Sequence, residues 1–133
     1  MAFVLDASAA VAPALGETDP RALAAKDRLR DGDDALVPGL WWFELRNALV
    51  INERRGRLTQ NETARFPRDL SQLAITVDHV PNEASLMSLA RRYRLTVYDA
   101  AYLELAQRQG VPLATLDGAL AAAATAENVP LPA

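Results

Sequence analysis

The 133-residue sequence contains no cysteine, one histidine and one lysine. Without cysteine the chain can form no disulfide, thiolate nucleophile or cysteine-based zinc site, and it is compatible with a reducing cytosol. The single histidine, His79, lies in a strand-like segment, where a structural or surface role is more typical than that of a general base. No serine, histidine and aspartate triad is therefore predicted.

Long hydrophobic runs are also missing. No stretch approaches the roughly 20 uninterrupted apolar residues of a membrane span, so no membrane association is expected. Ala10-Val11-Ala12 is similar to a signal-peptide cleavage site, but the N-terminus has no basic start and Asp6 interrupts its apolar run. Half of the residues are hydrophobic and 23% are charged, which predicts one globular domain over residues 1–133 with a substantial core.

The formal net charge of −3 is unlike the basic surface that usually binds nucleic acid. The basic residues other than Lys26 are all arginine, and two clusters stand out. Arginine can hold a phosphate through two parallel hydrogen bonds, so these clusters could contact a nucleic-acid backbone. A run of charges is equally typical of a solvated helix face. The cluster at Arg54, Arg55 and Arg57 could also bind an acidic segment of a partner protein. The clusters are Arg54, Arg55 and Arg57, and Arg91, Arg92 and Arg94.

Short apolar segments alternate with helical patterns along the chain. Strands are predicted near residues 3–5, 35–37, 75–80, 113–114 and 129–131, with helices between them. This alternation is typical of an α/β fold with a parallel sheet and right-handed crossovers. Helix signals are Asp19-Pro20 and Asn82 as starts, the capping box Thr59-Gln60-Asn61-Glu62, and Gly110 as an end. Pro67 lies eight residues after Thr59 and predicts two short helical pieces instead of one helix.

Four acidic residues lie where apolar segments end or helices begin. Asp6 and Asp117 each follow an apolar strand, Glu44 lies within the most hydrophobic run, and Asp99 has N-cap character. Because ligands bind beyond the carboxyl ends of the strands in open parallel sheets, these distant acids are expected to converge on one crevice. The pattern indicates a metal site.

Carboxylate oxygens are the ligands that Mg²⁺ and Mn²⁺ prefer, and a bound cation would relieve the repulsion between grouped acids. Such an ion polarises a phosphoryl oxygen and lowers the pKa of a bound water, which predicts phosphodiester hydrolysis. Ser8, Asn47 and Thr115 are candidate hydrogen-bond partners for the acids or their waters. Local capping or turn roles are the alternative for all three.

Four motifs occur in order along the chain: Val4-Leu5-Asp6-Ala7-Ser8-Ala9, Phe43-Glu44 to Asn47-Ala48-Leu49, Tyr98-Asp99-Ala100-Ala101-Tyr102-Leu103-Glu104-Leu105-Ala106, and Gly110-Val111-Pro112-Leu113-Ala114-Thr115-Leu116-Asp117. Together they resemble a PIN domain of the VapC toxin type over nearly the whole chain. The resemblance implies a three-layer α/β/α sandwich with a mostly parallel sheet, and a Mg²⁺- or Mn²⁺-dependent endoribonuclease toxin that a cognate antitoxin inhibits. It further implies an RNA substrate, a homodimer and a cytoplasmic location.

By this resemblance, Asp6, Glu44 and Asp99 match the core metal-binding acids, Asp117 matches the more variable fourth acid, and Thr115 matches its polar companion. One departure is the Ala-rich run 118–124, where many relatives carry basic residues. The target RNA and the number of ions, one or two, stay open.

Two alternatives come from other functional classes. A PIN-like protein without activity would serve only as a binding module, although all four acids are present. Another metal-dependent phosphohydrolase or a phosphorylated receiver would share the parallel sheet. A haloacid-dehalogenase-type phosphatase, however, needs an acid where Ser8 stands, and a receiver needs a late lysine that this sequence lacks.

Overall fold

The computed structural model describes residues 1–132. Its strands are β1 (Ala2–Leu5), β2 (Asp34–Pro38), β3 (Ile75–Asp78) and β4 (Leu113–Ala114). Its α-helices over these residues are α1 (Ala7–Val11), α2 (Pro20–Arg30), α3 (Trp41–Arg54), α4 (Gln60–Leu70), α5 (Glu83–Tyr93), α6 (Val97–Gln109) and α7 (Gly118–Ala126). A short 3-10 turn, Ala12–Leu15, extends α1.

The four strands form one sheet in the order β3-β2-β1-β4, and every pair is parallel. Helices separate successive strands, so each strand returns in the same direction as the one before it. The side chains of Phe3, Val4 and Leu5 on β1 are fully buried, as expected for a central strand covered on both faces. All carboxyl ends therefore lie at one edge of the sheet, and Asp6 follows β1 there.

The helices pack in two groups around the sheet. Helix α6 contacts β1 and β2 directly and packs against α5 and α7, whereas α1 contacts α2 and α3, and α3 contacts α4. Trp41, Leu45 and Leu49 of α3 are fully buried at one helical face, as are Leu103 and Ala106 of α6. The α/β sandwich with a parallel sheet that the sequence predicts is thus confirmed. Within residues 1–132, no helix is long and apolar enough to cross a lipid bilayer.

The cap signals act as the sequence predicts. Asp19 accepts a hydrogen bond from the backbone of Arg21 at the start of α2, and Thr59 forms a complete capping box with Glu62 at the start of α4. Asn82 caps α5. Helix α6 ends at Gly110, whose φ of 65° is a left-handed conformation that favours glycine.

Two local predictions are wrong. Helix α4 runs unbroken through Pro67, so the two short pieces expected there do not form. Residues 129–131 do not form a strand; their one backbone hydrogen bond with β4 runs from the Leu113 amide to the carbonyl oxygen of Pro130, at 2.9 Å. Pro130 and Pro132 have no amide hydrogen, and the amide of Val129 donates back to Ala124, so no ladder can extend.

Candidate functional site

Asp6 is the most buried acid of the predicted site, with 5% of its surface exposed. Its Oδ1 accepts hydrogen bonds from the Ser8 hydroxyl at 2.7 Å and from the Ala9 amide at 2.9 Å, which caps α1. Its Oδ2 accepts from the hydroxyl of Thr115. Burial raises the pKa of Asp6, the three donors oppose that rise, and the charge of Asp99 adds to it. Asp6 is therefore held in one orientation by donors on both sides.

Two hydroxyls join the end of β1 to the segment that follows β4. Besides donating to Asp6, the Ser8 hydroxyl accepts a hydrogen bond from the Leu116 amide at 3.1 Å. The Thr115 oxygen accepts one from the Asp117 amide at 3.0 Å. Ser8 and Thr115, which the sequence predicts as partners of the acids, thus both contact Asp6 and also position the backbone that leads to Asp117.

Glu44 lies in the first turn of α3, and its Oε1 accepts a hydrogen bond from the Tyr102 hydroxyl at 2.5 Å. Burial raises the pKa of Glu44; the charges of Asp99 and Asp6 raise it further, and the Tyr102 bond opposes the rise. Asn47, predicted as a partner of Glu44, is exposed, and among residues 1–132 the hydrogen bond to Glu44 comes from Tyr102 instead.

Sequence reasoning missed Tyr102. The side chain is 1% exposed, and burial together with Glu44 raises the pKa of its hydroxyl, so it remains a donor. A signal was present, because Tyr102 lies three residues after Asp99 in a predicted helix and so shares a face with it. What the sequence does not show is that this face meets α3.

Asp99 lies within the first turn of α6, not at its N-cap as predicted. Thr96 is the cap, and its hydroxyl oxygen accepts the Asp99 amide at 3.1 Å. Burial and the charge of Asp117 raise the pKa of Asp99. Asp117 is exposed and caps α7, where its Oδ2 accepts the Leu120 amide at 2.8 Å.

The four acids lie near enough for their charges to act on one another. Asp99 raises the pKa of both Asp6 and Glu44, and Asp117 raises that of Asp99. In the described part of the chain, no three acidic or histidine side chains are gathered closely enough to surround an ion by themselves. Mg²⁺ usually takes only one or two direct carboxylates and keeps several waters, so this all-oxygen donor set fits a hydrated Mg²⁺ or Mn²⁺ ion.

The first arginine cluster lies away from these acids. Arg54 ends α3 ten positions after Glu44, which places its backbone about 15 Å further along the helix axis. Arg55 and Arg57 are exposed beyond that end. Of the second cluster, Arg92 pairs with Glu127 at 3.1 Å. Phosphate contact by either cluster stays a prediction.

Comparison with known proteins gives a consistent result along the whole chain. A family model described as PIN domain matches residues 3–126. Ribonuclease VapC3 of Pyrobaculum aerophilum is 32% identical over 124 residues, which cover 91% of this chain and 93% of that protein. The crystal structure of PAE2754 from the same organism has a TM-score of 0.72 at 27% identity, covering 92% of this chain and 84% of the other.

Two more distant crystal structures show the same fold. FitAcB from Neisseria gonorrhoeae has a TM-score of 0.62 at 19% identity, covering 91% of this chain and 92% of the other. VapC20 of Mycobacterium tuberculosis, described as a Sarcin-Ricin loop cleaving toxin, has a TM-score of 0.58 at 18% identity, covering 91% and 94%. At these identities the likeness concerns the fold alone.

Proposed function

Because this chain belongs to the PIN domain family, we propose that it is a Mg²⁺- or Mn²⁺-dependent endoribonuclease and the toxin of a toxin–antitoxin pair. The observation that carries the proposal is that hydroxyl donors orient both Asp6, at the carboxyl end of β1, and Glu44 on α3, while the charge of Asp99 raises the pKa of both. The similarity to Ribonuclease VapC3 over nine-tenths of both chains supports RNA as the substrate.

In this proposal Asp6, Glu44, Asp99 and Asp117 hold the cation. When bound, it would polarise a phosphoryl oxygen and lower the pKa of a water for in-line attack on phosphorus. Ser8 and Thr115 keep Asp6 oriented through their hydroxyl donors, and Asn47 remains a predicted partner for a nearby water. A bound cation would relieve the mutual repulsion of the acids.

The test is cleavage of total cellular RNA by the purified chain in EDTA, in Mg²⁺ and in Mn²⁺. We expect discrete fragments only with metal, and none from Asp99→Asn. The matched control is Asp69→Asn, which removes one exposed carboxylate outside the site and should cleave like the unmodified chain. If none of the three proteins cleaves RNA in the presence of metal, the result favours a binding module without activity.

A cognate antitoxin and a homodimer are further parts of the proposal. They follow from membership of the family and from the kinship with Ribonuclease VapC3. Light scattering after size-exclusion chromatography should give twice the chain mass. Expression of the chain alone should arrest growth, whereas expression of Asp99→Asn should not; growth unaffected by both would count against the toxin role.

A further inference from the structure

A groove of about 770 Å³ runs between α3 and α4, outside the acid cluster. We name it the α3–α4 groove; the residues that matter are Trp42, Phe43 and Arg46 on α3, and Pro67 and Arg68 on α4. Phe43 directly precedes Glu44 in the first turn of α3. The groove therefore opens at the end of α3 that carries a site acid.

The groove presents aromatic surface to the solvent. Phe43 has 78% of its surface exposed, although exposed phenylalanine carries an unfavourable hydration free energy. Beside it, the Arg46 guanidinium lies 5.1 Å from the centroid of the Trp42 ring and donates to the Trp42 carbonyl oxygen at 3.2 Å. Trp42 thus fixes Arg46 at the groove wall by a cation–π contact.

The groove is also positively charged, in contrast to the chain as a whole. Arg46 and Arg68 are its charged lining residues. Over residues 1–132 neither arginine forms an ion pair, and no carboxylate lines the groove. Two arginines without counter-charges next to an exposed ring are complementary to a ligand that carries both negative charge and flat aromatic groups.

Helix α4 departs from regular hydrogen bonding where it lines the groove. Pro67 has no amide hydrogen, so the carbonyl of Thr63 loses its usual helical donor. The Thr63 hydroxyl likewise has no hydrogen-bond partner among the described residues. Thr63 is one of the residues that line the groove, and its hydroxyl oxygen is buried there.

We propose that the α3–α4 groove holds the single-stranded RNA segment next to the cleaved phosphate, an inference that rests on the proposed ribonuclease function. Phe43 stacks on an unpaired base, and Arg46 and Arg68 contact backbone phosphates. Proteins that bind single strands combine these two features, a basic groove and aromatic stacking platforms. A paired helix could not offer an unstacked base to Phe43, so the substrate at this position is a loop or a single strand.

Binding is tested apart from cleavage, in the Asp99→Asn chain with a short fluorescein-labelled oligouridine as the probe. Arg46→Gln with Arg68→Gln should weaken binding at least tenfold and reduce the slope of log affinity against log salt by about 1.4, since each phosphate contact on a single strand contributes about 0.7. Phe43→Ala should weaken binding about fivefold or more. Arg30→Gln with Arg65→Gln, a charge-matched pair outside the groove, should change neither quantity.

The outcomes separate this inference from the proposed function. If the groove substitutions leave probe binding unchanged in the Asp99→Asn chain, and leave RNA cleavage unchanged in the chain that keeps Asp99, the groove assignment is overturned while the ribonuclease function stands. If the unmodified chain neither cleaves RNA nor binds the probe, both fail. If a short oligoglutamate binds in an Arg46- and Arg68-dependent way but RNA binding does not depend on them, the groove belongs to an acidic protein segment. Unchanged thermal unfolding midpoints of all variants serve as the folding check.

Discussion

Different donors hold the acids of the site. Ser8 and Thr115 hydroxyls donate to Asp6, and the Tyr102 hydroxyl donates to Glu44. Such partners orient a ligand before a cation arrives, so their removal is expected to act through the acid they contact.

Tyr102→Phe tests this for Glu44. The change removes one hydroxyl that donates to a carboxylate, and we expect a loss of about 1–2 kcal/mol in the free energy of unfolding, measured in urea. RNA cleavage should also fall, since Glu44 loses its orienting donor. The control is Tyr98→Phe, because Tyr98 is 61% exposed. Equal effects of the two substitutions would contradict a specific role for the Tyr102 hydroxyl.

The raised pKa values of the acids predict a pH dependence without metal. Folding raises the pKa of Asp6 above 3.8, so the folded chain binds more protons than the unfolded chain between these two values. The contribution of Asp6 to the free energy of unfolding in EDTA should therefore fall as the pH rises from 3.8 through the folded-state pKa. Glu44 and Asp99 act in the same direction.

Asp6→Asn removes the contribution of Asp6 to this dependence. The amide can keep the hydrogen bonds, since its oxygen accepts from Ser8 and Ala9 and its nitrogen donates to Thr115, whose hydroxyl can rotate. Urea unfolding across the acidic to neutral range should show that the free energy of unfolding of Asp6→Asn increases relative to that of the unmodified chain as the pH rises. Identical slopes would show that the carboxyl of Asp6 is not destabilised by burial.

At the scale of the helix, α4 shows how a local signal is overridden. Pro67 removes one hydrogen bond, the one to the Thr63 carbonyl, while the Ser71 amide still donates to the Pro67 carbonyl at 3.0 Å. Pro67 and Leu70 are buried, so packing stabilises the final turn. The start of α4 follows the local rule, because a capping box needs only residues of the same turn.

Thr59→Ala measures the contribution of that cap. The substitution removes the side chain that accepts the Glu62 amide at 3.1 Å, and we expect the chain to lose about 1 kcal/mol of unfolding free energy in urea. Thr59→Ser keeps the oxygen and should retain most of the stability. If serine and alanine destabilise equally, the cap is not what stabilises the start of α4.

At the scale of the whole molecule, the order of the parallel strands decides which distant residues lie near one another. With β1 paired between β2 and β4, the acids at positions 6 and 117 follow adjacent strands. Helix α6, packed on β1 and β2, brings Asp99 and Tyr102 to the same edge. Cation binding at this edge should therefore stabilise the entire fold.

A thermal or urea unfolding series with Mg²⁺ tests this coupling. At a concentration 100 times the Kd, a cation that binds only the folded chain adds about 2.7 kcal/mol to the free energy of unfolding. Asp99→Asn should lose most of this gain, whereas Asp69→Asn should keep it. A gain that is the same in both variants would mean that the cation binds elsewhere.

Local patterns were enough to predict the parallel α/β fold, most strand and helix positions and their caps, because each depends on neighbours within a turn or a strand; the role of the four acids stays a prediction. The hydrogen bonds that organise the site were not predictable: Tyr102 and Glu44 are 58 positions apart, and Thr115 and Asp6 are 109 apart. Such contacts exist only after the chain has packed. Tertiary packing also decided that α4 continues through Pro67 and that the α3–α4 groove is positively charged. Both features depend on which helices pack against each other.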